Sequence, residues 1–479
     1  MAPEDIAGAV IFRLEIGILA YFLLVNTWYA VLLASAAWHM REHMLRIRGE
    51  SRSRLLASPI SPRITILSPA HNEASTIVQS LGALIGLHYP NLEVVVVNDG
   101  STDLTLEVLR ERFDLIAVPP IYRRVLQTRP VRGIYRSRVH PGLIVVDKEN
   151  GGKADSLNAA LNLASGELVC VIDADTLIEA DALQRMVRPF LVRDDVVAVG
   201  GTIRIANGSE VGAGRIIQAH VPRRPIAGFQ VVEYMRAFLF GRLGWNGLGG
   251  NLIISGAFGL FRREPMRDAG GYQSDTVGED IEVVVRLRRR SYDQGGPGRI
   301  EFIPDPVAWT EAPEALGVLG RQRDRWQRGL ADVLWRHRGI LFRPRYRALG
   351  LIVFPYFVFV ELAAPVVELV GLLGLAIGLF VGAINWPFAM LFFLVAYAYG
   401  AILSVFTLVL EELSFLRYRH FGDRLLLLLW ILGENLGYRQ LTVLWRIRGL
   451  FNYLRKRKNW GVMERRGFTT PPRPLDRRP

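Results

Sequence analysis

IVVDKENGGKADSLNAALNLASGELVCVIDADT, residues 144–176, is the stretch on which the fold turns. It opens on a β-branched strand, breaks at two glycines and continues with apolar residues at helical spacing. It closes on LVCVI (168–172), a run apolar on both faces that ends in acids. Strands of this kind separated by a helix predict a parallel sheet covered by helices. Working outward, RITILSPAHNE (63–73), NLEVVVVNDGSTD (91–103) and DDVVAVGGTIRI (194–205) repeat the rhythm, so the chain centre reads as a largely parallel α/β sheet. Ligands of open α/β sheets bind at the carboxyl ends of the strands, where this chain carries its acids and glycines. Residues 119–140 break the pattern with Pro119, Pro120, Pro130 and six arginines at no clear period, and read as a surface excursion.

The ends of the chain have a different texture. Ile16 to Trp38 carry no formal charge over 23 positions, enough for roughly 30 Å of helix. A cleaved signal peptide would have a shorter apolar core preceded by net positive charge, whereas here Arg41, Arg46, Arg48, Arg52 and Arg54 follow it. Those arginines place the next residues in the cytosol. Two further apolar stretches, 349–383 and 386–410, enter the bilayer. Pro355, Glu361, Pro365 and Glu368 predict a kinked or partly interfacial first stretch, and Glu434 and Arg439 make 425–445 interfacial. The division that results is a membrane helix and basic linker (1–55), a catalytic domain (56–345), membrane and interfacial helices (346–447) and a basic cytosolic tail (448–479).

Composition narrows the function. Of 479 residues half are hydrophobic, and 58 Lys and Arg against 45 Asp and Glu give a net charge of +13. The excess gathers beside apolar segments and no nucleic-acid motif accompanies it, so the partner is membrane lipid rather than nucleic acid. A single cysteine, Cys170, excludes an intramolecular disulfide and a zinc cluster.

Several residues could carry chemistry. Asp99 ends a strand before Gly100, where its carboxylate either closes an Asx turn or accepts a bond from a ligand. Asp173 and Asp175 lie two apart after a buried strand, either as a solvated loop or as hard oxygen ligands for Mg²⁺ or Mn²⁺ against a diphosphate. Lys153 follows two glycines and offers a cation to phosphate oxygens, although the spacing is not that of a P-loop. Glu279, Asp280 and Glu282 gather at a helix start, where an acid serves as a cap or as a general base. Gln322 and Trp326 share one helical face with Arg325 between them, matching either a basic interfacial helix or a sugar and pyrophosphate site.

Taken in order, PAHNE (69–73), NDGSTD (98–103), GGKADSLNAAL (151–161), DAD (173–175), SGAFG (255–259), GED (278–280) and QRDRW (322–326) resemble the family 2 membrane glycosyltransferases. That group includes the processive synthases of cellulose, chitin, hyaluronan and poly-N-acetylglucosamine, and the resemblance covers about residues 60–340 plus the membrane flanks. It implies a GT-A fold acting on a nucleotide sugar, usually a UDP-sugar, with inversion. On this resemblance Glu73 and Asp99 contact the nucleoside and Lys153 the diphosphate or sugar side. Asp173 and Asp175 form the DxD metal motif, and Asp280 is the base that deprotonates the acceptor hydroxyl. Gln322, Arg325 and Trp326 match QxxRW, the first two on the donor pyrophosphate and Trp326 under the acceptor sugar, while Ser255 and Gly256 fall on an acceptor-lining loop.

Two positions depart from the family pattern: Gly278 stands where Thr is usual, and His71 where Tyr or Phe is commoner. The implied protein is an integral enzyme of the bacterial inner membrane with its catalytic domain in the cytosol, extending a polysaccharide and working with or without an accessory subunit. The same residues would serve a single transfer to a lipid acceptor such as a polyprenyl phosphate or glycolipid, and product length separates the two. A transporter or scaffold would leave every one of these acids idle.

Overall fold

The computed structural model describes residues 3–49, 61–173, 176–212, 214–382, 384, 386–415 and 417–457. Its centre is a ten-stranded sheet, built from β1 (Ile64–Ala70), β2 (Leu92–Asp99), β3 (Leu115–Val118), β4 (Val131–Ser137), β5 (Leu143–Lys148), β6 (Leu168–Ile172), β7 (Leu177–Ile178), β8 (Val196–Ile205), β11 (Phe258–Arg262) and β12 (Arg299–Thr310). The spatial order is β3-β4-β5-β2-β1-β6-β11-β8-β12-β7, and β9 (Glu210–Gly212) with β10 (Arg215–Gln218) forms a separate hairpin.

The strands anticipated from their apolar runs form the middle of this sheet. β5, β2, β1 and β6 are mutually parallel, in register Val94↔Leu143, Ile64↔Leu92 and Ile64↔Leu168. Every residue of β5 and β6 is buried, as a strand covered by helices on both faces requires. Beyond β6 the sheet turns mixed: β11 runs antiparallel to both β6 and β8. The excursion is not wholly irregular either, since Val131–Ser137 pairs antiparallel with β5 and extends the sheet toward its edge. Its burial does not alternate cleanly: Arg132 and Arg136 are exposed on either side of buried Ile134 on one face, and Ser137 is buried on the other, so no period of two marks the strand.

Among the described residues three helices are long and apolar enough to cross a membrane: Phe12–Ile47, Leu349–Val381 and Trp386–Phe415. The second is irregular where the prolines fall. Leu349–Val353 and Phe357–Leu362 are π-type turns around Pro355, and a regular helix resumes at Ala364–Val381. A proline lacks the N–H and crowds the preceding carbonyls, and wider turns relieve both. The acids of this segment are paired: Glu361 accepts from Tyr356 Oη at 2.9 Å, and Glu368 takes a two-pronged pair from Arg439 at 3.0 Å. Arg439 belongs to Tyr438–Leu454, which with Phe421–Gly433 makes two shorter helices after the apolar ones.

Candidate active site

The loops after β1 and β2 interlock at the carboxyl edge of the sheet. Asn72 accepts from Thr102 N at 2.8 Å, and the backbone N–H of Glu73 donates to Thr105 Oγ1 at 2.9 Å. The Glu73 carboxylate takes the Thr76 hydroxyl at 2.5 Å. Gly100 turns the chain at φ +61°, and a Cβ there would lie 2.7 Å from Asn150 N, so the position excludes a side chain on both counts.

Asp99 is 4% exposed, and its carboxylate holds neither an Asx turn nor a solvent-facing position. It accepts from Gly151 N at 2.9 Å, Gly152 N at 2.8 Å and Lys148 Nζ at 2.5 Å, which anchors the glycine loop after β5. Lys148 is fully buried and gives its remaining donors to Asp155 at 2.7 Å and to the Glu149 carbonyl at 2.6 Å. An ammonium has three donors, and all three are used. Lys148 and Asp155 escape a reading of the sequence because a charge at a strand end looks solvated; only the long-range pairing buries it.

From that loop the helix Lys153–Leu163 starts, and its first residue reaches the acids. Lys153 Nζ lies 2.5 Å from Asp173 Oδ1 and 3.3 Å from the Gly256 carbonyl. A Cβ on Gly256 would sit 3.2 Å from Lys153 Nζ and 3.5 Å from Asp280 Oδ2, so three motifs far apart in sequence meet within a few ångströms. Burial alone would lower the Lys153 pKa, but Asp173, Glu279 and Asp280 together hold it above its ordinary value. Ser255, on the same loop, turns its hydroxyl to the Ala257 N–H at 3.4 Å. Asp175 lies outside the described residues.

Asp280 stands in the first turn of the helix Glu279–Asp293. Its neighbour Glu279 is 6% exposed, and burial together with the Asp280 charge pushes it up to about 7, with Lys153 and Arg325 pulling the other way. Gly278 packs backbone to backbone on the helix Leu316–Arg336: a Cβ on it would lie 2.9 Å from Gly329 Cα. In this chain a side chain at 278 would collide with the Gly329 backbone.

The helix Leu316–Arg336 carries Gln322, Arg325 and Trp326. Gln322 is buried, and its Oε1 has no hydrogen-bond partner among the described residues. Trp326 is 42% exposed, with the Arg323 guanidinium 4.4 Å from its ring centre and Arg323 itself paired to Glu233 at 2.7 Å. One residue on, Gln327 donates to the Leu362 carbonyl at 3.2 Å, which ties this helix to the second apolar segment. Arg242, which no motif flags, donates to the Ile253 carbonyl of the Ser255 loop, lies 4.7 Å over the Phe238 ring and keeps a buried Nε without a partner among the described residues. Burial pulls its pKa down to about 10 against the charges of Asp280, Tyr234 and Glu361.

Residues 65–270 match the family model for glycosyl transferase family 2, and residues 168–404 that for glycosyl transferase family group 2. The chain belongs to glycosyl transferase family 2. This family 2 glycosyltransferase is 32% identical over 274 residues to the poly-β-1,6-N-acetyl-D-glucosamine synthase of Staphylococcus aureus, across 57% of this chain and 56% of that one. It is 30% identical over 292 residues to the Staphylococcus epidermidis synthase of the same name, across 61% and 60%. The chain thus spans just over half the length of these relatives. Among solved structures it resembles a mannosyltransferase from Pyrobaculum calidifontis in complex with GDP-Man and Mn²⁺, with a TM-score of 0.52 and 21% identity over 89% of this chain and 98% of that one. That likeness establishes the GT-A fold.

Proposed function

We propose that this glycosyltransferase moves a sugar, with inversion, from a UDP-sugar to a growing polysaccharide at the membrane, and that the sugar is N-acetylglucosamine. The observation that carries the reading is the meeting of Lys153, Asp173, Gly256 and Asp280 at the carboxyl edge of the sheet, beside a Gln322–Trp326 helix bonded to an apolar segment. The staphylococcal synthases support the choice of sugar and of a polymeric product.

Asp280 takes the proton of the acceptor hydroxyl, whose oxygen attacks the anomeric carbon of the donor. The bond from that carbon to the diphosphate breaks, and UDP leaves with the electron pair, so no covalent sugar–enzyme intermediate forms. Lys153 and Arg325 offset the charge that grows on the leaving group, Gln322 Oε1 accepts from a sugar hydroxyl and Trp326 supports the acceptor ring. Asp173 offers the hard oxygen that Mg²⁺ or Mn²⁺ prefers; one of its oxygens holds the Lys153 ammonium at 2.5 Å, so an ion held by Asp173 and Asp175 would use the other oxygen or displace that lysine toward the diphosphate. Such an ion, when bound, supplies Lewis-acid neutralisation of the diphosphate. Glu73 and the Asp99-anchored loop form the nucleoside side. The arginines after the first apolar helix orient the catalytic domain to the cytosolic face of the membrane.

Detergent-purified protein with Mg²⁺ or Mn²⁺ and a panel of radiolabelled UDP-sugars tests this. A ladder of long products from UDP-N-acetylglucosamine, digested by a hexosaminidase, is the expected result. A single labelled lipid would replace polymerisation by one transfer, and a ladder from another donor would overturn the choice of sugar.

A further inference from the structure

The Arg-rich segment 119–140 is absorbed by none of the motifs above, yet its first half is held with unusual care. Asn162, 7% exposed, accepts from Val125 N at 3.0 Å and Leu126 N at 2.9 Å, and donates to the Leu126 carbonyl at 2.8 Å. Leu126 is itself buried beneath the strap. Two turns earlier on the same helix face, Asp155 accepts from Arg129 N at 3.0 Å while its other oxygen pairs with buried Lys148 at 2.7 Å. The segment therefore runs along Lys153–Leu163 from its C-terminal to its N-terminal end, and Glu149 N, donating to the Pro130 carbonyl at 3.0 Å, fixes where it stops.

What the strap delivers is Arg129. Its Cγ lies against Gly151 so closely that a Cβ on that glycine would be 2.9 Å away, and Gly151 is the residue whose N–H is anchored by Asp99. Arg129 is exposed, and no carboxylate among the described residues pairs with its guanidinium, whereas Arg138 of the same segment is paired to Asp114 at 2.7 Å. A buried lysine, a buried asparagine and an aspartate thus combine to fix the backbone of Arg129 and lay the start of its side chain against the glycine loop, with the guanidinium left free of carboxylates among the described residues.

We propose that Arg129 is a donor-binding residue whose guanidinium pairs with the nucleoside diphosphate of the sugar donor beside the Gly151–Gly152 turn. The inference rests on the nucleotide-sugar reading above. A guanidinium suits the task because it stays charged at every relevant pH and meets phosphate with two parallel hydrogen bonds. Position along the strap, rather than the summed charge of the six arginines, is what gives Arg129 this role.

Calorimetric titration of the purified full chain with UDP and Mg²⁺, alongside donor kinetics, tests it. In Arg129→Ala the Kd for UDP and the KM for donor rise together by about tenfold, with kcat within about twofold and an unchanged melting temperature. Arg129→Lys recovers part of the affinity, and Arg132→Ala, on the neighbouring strand, leaves both constants unmoved. Unchanged Kd and KM in Arg129→Ala, or an equal loss in Arg132→Ala, would overturn the assignment while the nucleotide-sugar reading stands. Failure of the wild-type protein to bind UDP or GDP would instead bring down that reading, and this inference with it.

Discussion

The two halves of the catalytic cleft solve opposite problems. On the donor side nearly every charge is matched from within the chain: Asp99 and Asp155 share Lys148, and Asp173 meets Lys153. On the other side, proposed above to take the acceptor, polar groups stand unmatched among the described residues: Arg242 Nε is buried without a partner, Glu279 is pushed up to about 7 and Trp326 is 42% exposed, and on the same helix as Trp326 the buried Gln322 Oε1 is likewise unpartnered. Leaving such groups unsatisfied costs stability, and that cost is recovered when a ligand supplies the missing bonds. The donor half is therefore assembled in advance, and the acceptor half is completed by what it binds.

The comparison breaks most severely at Lys148. Lys148→Met strands two carboxylates and should destabilise the protein by about 3–5 kcal/mol, read as a fall in melting temperature. Neutralising both acids in the same chain, with Asp99→Asn and Asp155→Asn, should restore much of that stability without restoring UDP binding, because the anchor of the glycine loop is gone. If Lys148→Met melts like the wild type, the donor side is not the closed network described. On the other side of the cleft, Asp280→Asn should reduce transfer by about 10²-fold or more while the Kd for UDP changes by less than about twofold. Retained turnover in that variant would move the general base elsewhere.

How legible this was in the sequence follows the same division. The parallel strands were plain because they are buried on both faces, and the acids and glycines at their ends follow from the same pattern. β4 was hidden because exposed Arg132 and Arg136 flank buried Ile134 on one face, so its burial shows no period of two, and what makes it a strand is pairing with β3 and β5. β11 was hidden because five residues, FGLFR, give no period, and its direction is set by pairing with β6 and β8. At the site, the motif residues Lys153, Asp173, Gly256 and Asp280, each at an element end, are brought within a few ångströms of one another by the fold. What could not be read were the contacts between elements: the Lys148 triad, the tethering of the strap by Asn162, and the place of Arg242 beside the Ser255 loop. Asp99 illustrates the gap: the sequence suggests a nucleoside contact, and in the structure its carboxylate holds Gly151 and Gly152.

The Gly278–Gly329 contact sharpens the acceptor half. Restoring the familial residue with Gly278→Thr puts a Cβ 2.9 Å from Gly329 Cα and forces the Asp280 loop away from the Gln322–Trp326 helix. Overpacking of this kind costs about 1–3 kcal/mol, and the displaced base should lower kcat by about tenfold with little change in donor KM. An unchanged kcat would show that the spacing between base and helix is not set at this contact.

The smallest effect concerns Glu279, where sign matters more than size. Its folded pKa, about 7, lies above its ordinary 4.5, so between those values the native state holds a proton that the unfolded chain has released. Native stability should accordingly fall as pH rises from about 4.5 to about 7, and level off above it. Glu279→Gln keeps the neutral form at every pH, so its melting temperature should lack that decline, while activity at pH 6, where Glu279 is already mostly protonated, stays within about twofold of the wild type. A decline that survives in Glu279→Gln would assign it to another group, and a large loss of activity at pH 6 would mean that the Glu279 carboxylate, and not only Asp280, takes part in the proton transfer.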